Sequence, residues 1–464
     1  MQHLPSVETE RAHTALIWKV GAVAVMGSFL SQMDATVVNV SLPTLVRDLH
    51  SNLSVMQWVT SGYLLALAFM LPLNGWLVDR MGARRLYMVC LTTFTVSSAL
   101  CAAASSAEML VAFRVLQGLS GGLLAPMAQL MMARVAGKDM ARVMGYATLP
   151  ILLGPLVGPV IAGAILQHAS WHWLFLVNVP VGVVAVLCAM FLLPNDEAER
   201  NPRSLDLKGL AILSPGMVLF LYGADHVRER MGLALLLVAA LCFVLFVRHA
   251  RSRGDDALVD LKLFHGTFRV AAVTQFLSNG AVYSFQLLLP YLLVRQMGMS
   301  PAKVGWLLIP LGVGMLLVYP SNGWLQERFG IRRLAVAGAA VVALTTVPFV
   351  LMSIRGLTLP VLVIALFLRG MGQGAIGLPS ITAAYLSVPR RELPMATTSM
   401  NIVQRLGGPT LTTLCATLLA WGMEQGTQPV AFAWVFGFLC VMNVAVVMAT
   451  LRLPLRASHQ AATV

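Results

Sequence analysis

Asp34 is the residue whose position most demands an explanation. It lies well inside an apolar run that starts near Ala15 and is long enough to cross a bilayer, and no other acidic residue sits so deep in such a run. A carboxylate at the centre of a membrane helix costs roughly 2.5–3.5 kcal/mol on insertion scales, so it is kept for a reason. One reason is structural, a hydrogen bond to a neighbouring helix. The other is chemical: the group takes up and releases a proton, or holds a cation. A second constellation bears on the choice. Arg114, Gln117, Gly118 and Gly121 recur at helical spacing in another apolar run, placing a cation, an amide and two close-approach sites on one helix face. Isolated in lipid, an Asp and an Arg together cost about 5–7 kcal/mol, and bringing them within reach of one another removes much of that. Exchange chemistry at Asp34 also requires an aqueous route to the carboxylate.

The elements that must position these groups follow from composition. Hydrophobic residues are 58% of the 464-residue chain and charged residues 11%, with a mean hydropathy of +0.79. That much apolar surface cannot be covered in water, so the chain reads as a polytopic all-α membrane protein. Residues 1–14 are polar and carry no cleavage-site pattern of a secretory signal. The net charge of +13 is spread over short loops between apolar runs, which argues against nucleic acid as a partner. The six cysteines all fall inside apolar runs and read as packing residues. His168 and His172 flank tryptophans at a helix junction, so no metal site is expected. There is no phosphate-binding loop, no nucleophile elbow and no Cys/His ligand cluster, so neither an enzyme nor a cofactor is expected.

Fourteen apolar segments can be drawn, at about 15–41, 55–77, 86–105, 108–133, 141–167, 172–193, 207–224, 231–248, 268–292, 302–325, 334–354, 358–388, 394–421 and 430–452. If the N-terminus is cytoplasmic, cytoplasmic loops and tails hold 23 of the 32 Lys and Arg residues and outer loops hold six. This asymmetry places both termini inside and favours an even number of crossings. A repeat sets the architecture. Asn74-Gly75-Trp76-Leu77, with Arg80, Gly82 and Arg84-Arg85-Leu86, returns 248 residues later as Asn322-Gly323-Trp324-Leu325, with Arg328, Gly330 and Arg332-Arg333-Leu334. Gly154-Pro155 returns as Gly408-Pro409, 254 residues on. Two matches in the same order at nearly equal offsets predict two related halves in the same orientation. The expected organisation is a tail at 1–14, a six-helix half at 15–193, a linker at 194–267 with two extra transmembrane helices, a second six-helix half at 268–452 and a tail at 453–464. A twelve-helix reading, with 207–248 as an interfacial excursion, remains open.

On four motifs the chain resembles the major facilitator superfamily, and within it the fourteen-helix drug:proton antiporter branch, over nearly its whole length. Met33-Asp34-Ala35-Thr36-Val37-Val38-Asn39-Val40-Ser41-Leu42-Pro43 is close to the branch pattern L-D-x-T-I-V-N-V-A-L-P. Gly75 through Arg85, with Asp79, Arg80, Gly82 and Arg84, is similar to the superfamily's loop between helices two and three, which implies a conformational latch. In the second half Gln326 and Glu327 stand where Val78 and Asp79 are, so that copy is degenerate. Arg114 to Gly122 matches R-x-x-Q-G-x-G-G with Ser120 in place of one small residue. Gly154-Pro155-Leu156-Val157-Gly158-Pro159, with Ala162 and Gly163, resembles the antiporter motif of the superfamily's exporters, a tightly packed helix five suited to sealing the halves.

The resemblance implies a proton-coupled exporter of small amphipathic compounds in a bacterial cytoplasmic membrane, with Asp34 and Arg114 coupling the proton. Its partners are then the lipid bilayer, protons and a small-molecule substrate. An accessory periplasmic adaptor is left open, and otherwise a monomer is expected. Ser31, Asn39, Gln117, Gln275, Asn279, Tyr283, Gln286 and Arg405 are candidates to line the substrate cavity. Where family members carry an Arg-Gln pair before a Gly-Gly, this chain has Gln404-Arg405-Leu406-Gly407-Gly408, turning the guanidinium by roughly 100° around the helix. One intramembrane acid against Arg114, Arg369 and Arg405 implies tolerance for neutral, zwitterionic or anionic cargo. A symporter or facilitator for a metabolite, and a non-transporting membrane protein, are the competing classes.

Overall fold

The computed structural model describes residues 7–195, 204–356 and 358–456, and among these the chain is helical throughout, without a strand. Parts of both expected tails and of the linker (1–6, 457–464 and 196–203) lie outside the described residues. The first half runs α1 (Val7–Asp48), α2 (Leu53–Met70) leading through a 3-10 turn at Leu71–Leu73 into α3 (Asn74–Met81), α4 (Ala83–Ala102), α5 (Ala107–Ala136), α6 (Met140–His168), α7 (Trp173–Leu176) and α8 (Asn178–Leu192). There follow α9 (Leu207–Asp225) and α10 (Arg230–Arg253). The second half runs α11 (Gly266–Arg295), α12 (Pro301–Phe329), α13 (Ile331–Leu344), α14 (Val347–Arg355), α15 (Leu359–Leu386), α16 (Leu393–Gln425) and α17 (Gln428–Thr450).

Twelve helical stretches among the described residues are long and apolar enough to cross a membrane, so the chain is a multi-pass membrane protein. Two further helices, α6 and α16, are 29 and 33 residues long. Each of the apolar segments drawn from sequence is largely helical, but 55–77, 172–193 and 334–354 are each divided between two α-helices, and α4 ends at Ala102, short of 105. The helices run a turn or so beyond several of them, because polar residues extend a helix past its apolar stretch. Pro43 does not end α1, which continues to Asp48. Pro215 likewise lies inside α9.

Helix ends follow local chemistry. Asn52 caps α2 by accepting from the Val55 amide at 2.8 Å, and Ser106 caps α5 by accepting from the Met109 amide at 3.2 Å. Gly82 joins α3 to α4 at φ +84°, ψ 154°, and Gly330 joins α12 to α13 at φ +82°, ψ 162°. This backbone region is essentially open to glycine alone. The repeat thus returns as geometry. Arg80 lies over Trp76 at 5.7 Å and Arg328 over Trp324 at 5.5 Å, and Arg84 and Arg332 each donate to a carbonyl, of Met190 and Leu453.

By contacts the chain forms two compact units: Met1–Val218 with Leu245–Asp260 and Arg391–Thr398, and Leu219–Val244 with Leu261–Arg390 and Ser399–Val464. In the first, Met33, Val37, Val38, Met56, Val59, Trp171 and Phe175 share one core. In the second, Phe285, Leu288, Leu292, Phe349, Phe432 and Phe436 share another. The start of α9 is tied down by Asp206, whose buried carboxylate accepts from the Gly209 amide at 2.9 Å, the Leu258 amide at 3.2 Å and the His249 ring at 2.7 Å. Burial opposes ionisation of Asp206, but these three donors outweigh it and hold the carboxyl below its ordinary pKa.

Two outcomes follow. Gly82→Ala forces a side chain into a glycine-only conformation and lowers stability by about 1–3 kcal/mol, read as a drop in melting temperature of the purified protein. Asp206→Asn loses the charge-assisted bonds and costs about 1–3 kcal/mol at pH 7. Because the folded pKa is depressed, that contribution is complete above the unfolded carboxylate value of about 3.9 and is lost as pH falls through the lower folded value. The melting difference between wild type and Asp206→Asn therefore persists from pH 7 to pH 5 and closes below about pH 4.

Candidate functional site

Asp34 sits in the middle of α1 with 1% of its surface exposed, and Arg114 in α5 is fully buried. The helices that bring them together do so through absent side chains. A Cβ at Gly121 would lie 3.0 Å from the Tyr63 hydroxyl, and one at Gly122 would lie 2.9 Å from the Leu67 Cα, so α5 packs directly on α2. On the other side of α1, a Cβ at Gly154 of α6 would lie 2.8 Å from Gln32 Cβ and 3.0 Å from the Met33 nitrogen. One at Gly158 would lie 3.1 Å from the Met33 carbonyl. The glycine face of α6 is therefore spent on the turn of α1 that carries Asp34. Gly163 faces open space, and the side chains of Pro155 and Pro159 lie outside the described residues.

Both oxygens of Asp34 accept hydrogen bonds, and of the nitrogens of Arg114 only Nη2 is left without a partner. Arg114 Nη1 donates to Asp34 Oδ2, forming an ion pair shielded from solvent. Asp34 Oδ1 accepts from Asn178 Nδ2 at 2.7 Å and from Gln117 Nε2 at 3.2 Å. Arg114 also donates through Nε to the Val59 carbonyl at 3.0 Å and through Nη1 to Gln117 Oε1 at 2.7 Å. Its guanidinium lies 4.1 Å from the Tyr63 ring centroid. Ser98 in α4 accepts from both Gln117 (3.0 Å) and Asn178 (3.1 Å) and donates to the Phe175 carbonyl at 3.2 Å. Four helices (α1, α4, α5 and α8) thus meet at one carboxylate. A buried charge pair is worth keeping only when its remaining hydrogen bonds are met, and here both carboxylate oxygens are. In this conformation the Asp34 side chain is closed off from solvent by the described residues around it.

An apolar cavity of about 440 Å³ opens between the N-terminal part of α1 and the start of α6, lined by Ile17, Trp18, Gly21, Val25, Phe29, Met132, Asp139, Arg142 and Tyr146 among others. Trp18 and Tyr146 face one another there, their ring centroids 5.4 Å apart. The cavity ends at Phe29, five residues or about 7.5 Å of helix rise from Asp34.

The sequence-derived candidates separate on this geometry. Asp34, Arg114 and Gln117 are brought together. Ser31 is buried nearby but holds Tyr63 (3.1 Å) and the Gly121 carbonyl (3.1 Å), a helix-packing role. Asn39 is exposed and accepts from Thr60 at 3.1 Å. In the second half Gln275 donates to the Gly377 carbonyl at 2.6 Å, and Asn279 turns back onto Gln275 at 3.0 Å. Tyr283 and Gln286 are exposed. Arg405 is half-buried and engaged by neighbours. Asn74 of the loop motif is buried and donates to Thr398 at 3.1 Å, and Gly75 lies against Pro394 and Thr398. Asp79 is half-buried and engaged, and Arg85 is exposed. Sequence reasoning missed Ser98, Asn178 and Tyr63. Asn178 left a trace, as the one amide inside the sixth apolar segment; Ser98 and Tyr63 left none. The residues around the cavity, Trp18, Asp139, Arg142 and Tyr146, were missed too.

Comparison with known proteins bears on the same residues. The chain matches the family described as Major Facilitator Superfamily over residues 24–250 and 271–463. It is 35% identical over 418 residues to a Mycobacterium tuberculosis protein named "Multidrug resistance protein B homolog", covering 87% of this chain and 76% of that one. It is 33% identical over 362 residues to the "Putative multidrug resistance protein MdtD" of Klebsiella pneumoniae, covering 76% of each. Among solved structures it resembles the human organic anion transporter MFSD10, with a TM-score of 0.65 at 15% identity over 93% of this chain and 99% of that one. It also resembles the proton:xylose symporter XylE, with a TM-score of 0.63 at 14% identity over 96% and 98% of the two chains. Matched along most of its length, and with its buried Asp34–Arg114 pair on helices of that fold, the chain belongs to the major facilitator superfamily.

Proposed function

We propose that this protein is a proton-coupled exporter of small amphipathic compounds that works by alternating access, with Asp34 carrying the proton. The observation that carries the reading is the ionisable pair buried inside the first half and satisfied from four helices. A carboxylate bound this way is stable only while α1 and α5 stay together, so separating them changes both its charge balance and its access to water. The names of the bacterial relatives support multidrug export as the activity. The apolar, aromatic cavity ending at Phe29 is the right character for amphipathic cargo, with Asp139 and Arg142 as its polar contacts.

In the proposed cycle Asp34 protonates when α1 and α5 part toward the outer side. The neutral acid then needs no guanidinium, which frees Arg114 and lets α1 shift against α6 along the Gly154–Gly158 contact. Release of the proton inward restores the ion pair. Each elementary charge moved across 100 mV contributes about 2.3 kcal/mol, enough with the pH gradient for well over tenfold accumulation. Gly75, Asp79, Arg80, Gly82, Arg84 and Arg85 act as the conformational latch, with the Asn74–Thr398 hydrogen bond as its contact in this conformation. The twelve apolar helices together with α6 and α16 make fourteen crossings, both termini cytoplasmic, in a bacterial inner membrane, and the protein works as a monomer unless an adaptor joins it.

Asp34→Asn keeps the hydrogen bonds from Asn178 and Gln117 in outline, so the protein inserts and folds. Substrate efflux driven by a pH gradient in proteoliposomes should fall by about a hundredfold or more, with substrate counterflow surviving. Undiminished proton-coupled efflux removes Asp34 from the mechanism. Arg114→Gln strands the buried carboxylate and should cost about 3–5 kcal/mol, and the double change Arg114→Gln with Asp34→Asn should recover most of that loss in melting temperature. Flux direction in inverted vesicles separates export from metabolite symport.

A further inference from the structure

The polar network around Asp34 has a second copy in the other half, and the copy lacks its acid. Ser98 and Thr346 are separated by the repeat offset of 248 residues, and each accepts from an asparagine: Asn178 Nδ2 at 3.1 Å in the first half, Asn443 Nδ2 at 2.9 Å in the second. Arg114 has its counterpart in Arg369 of α15, fully buried like it, donating through Nη1 to Thr346 at 2.7 Å and to the Val342 carbonyl at 3.3 Å. Where Asp34 faces Arg114, the residue facing Arg369 is Phe285 of α11, its ring centroid 3.7 Å from the guanidinium carbon. Asp34 and Phe285 are 251 residues apart, within the range of the repeat offsets. Among the described residues no carboxylate pairs with Arg369.

The nitrogens left over show what is missing. Nε and Nη2 of Arg369 are buried without a hydrogen-bond partner, whereas Arg114 leaves only Nη2. Nε–H and the adjacent Nη2–H form the side-on fork of a guanidinium, the edge that takes an anion through two parallel hydrogen bonds. The Phe285 ring covers the face of the guanidinium and leaves that edge unsatisfied. A cation–π contact offsets part of the charge but satisfies neither N–H. We propose that the second half binds an exchangeable anion on the Nε/Nη2 edge of Arg369, a halide or the carboxylate of an organic anion, in the role that the Asp34 carboxylate fills internally in the first half. The site is occluded in this conformation and loads when the helices around it part. It deepens the exporter reading by adding an anionic ligand, yet its binding is an equilibrium property that needs no proton gradient.

The test uses purified full-length protein in detergent, in isethionate buffer at fixed ionic strength, titrated with chloride or with benzoate. Melting temperature should rise saturably with the anion. Tighter binding of benzoate, with chloride competing, marks a cargo-type carboxylate; a response to chloride alone marks an inorganic anion; either outcome supports the site. A wild-type melting temperature that ignores both anions overturns it. Arg369→Gln should weaken the apparent affinity by about tenfold or more, and Arg369→Lys, which keeps charge and loses the fork, should weaken it less. Phe285→Asp supplies an internal carboxylate and should abolish the response. Wild-type affinity in Arg369→Gln or in Phe285→Asp also overturns the proposal. Asp34→Asn should retain the anion response even where proton exchange is lost, so the two readings fail separately; a response lost in Asp34→Asn and kept in Arg369→Gln moves the anion to the first half and overturns this site.

Discussion

Removing a charge from water inside a membrane must be compensated locally, and the first half of this protein is built around doing so once. Asp34 and Arg114 each carry a desolvation cost that lipid cannot offset. Their pairing alone would not suffice, because breaking even coulombically still leaves lone pairs and N–H groups stranded. Gln117, Asn178 and the Val59 carbonyl take up those groups, and Ser98 holds the two amides in register. The result is a carboxylate whose stability depends on four helices keeping their places. In the proposed cycle that dependence is what would let a single protonation act on the whole half, because a neutral Asp34 no longer needs the guanidinium.

The glycines give this electrostatic arrangement its mechanical reach. Gly154 and Gly158 let α6 rest against the backbone of α1 at residues 32 and 33 and against the Thr36 side chain, beside the acid itself. From sequence the same glycines suggested a seal between halves. The structure shows their contact with α1, within one half, where a shift of α1 cannot leave α6 behind. The absence of side chains at the two glycines is what permits so close an approach. The cavity beside α1 and α6 shares those two helices, with Phe29 in its lining one to two turns of α1 before Asp34. In the proposed exporter, cargo and proton would therefore address the same two elements.

The halves show how a duplicated network diverges. Position for position, the loop glycines, the Arg-over-Trp stacks and the Asn-to-hydroxyl bonds have been kept. The acid has not. Phe285 packs against Phe349, 4.9 Å between centroids, and so belongs to the apolar core of the second half where Asp34 belongs to a polar network in the first. An arginine buried opposite a phenylalanine with two nitrogens unsatisfied is a costly residue, and its cost is what makes the asymmetry between the halves informative.

Much of this was legible in the amino-acid order. Helix positions followed from apolar runs because lipid admits no unsatisfied backbone, leaving helices as the only solution for segments of that length. The repeat was visible because Gly82 and Gly330 must take a conformation closed to other residues, so their motif keeps its spacing. Asp34 and Arg114 announced themselves by being ionisable in lipid. What sequence could not assign was which polar groups would meet. Ser31 and Gln117 look alike on a helical wheel, yet one buttresses Tyr63 and the other holds the acid. Ser98 carried no signal because a serine in an apolar helix is usually satisfied by its own backbone. The pairing of Arg369 with Phe285 likewise depends on two helices 84 residues apart meeting at one height. Periodicity determines which way a side chain leaves its own helix; only the packing of backbones through glycine contacts decides what it finds there.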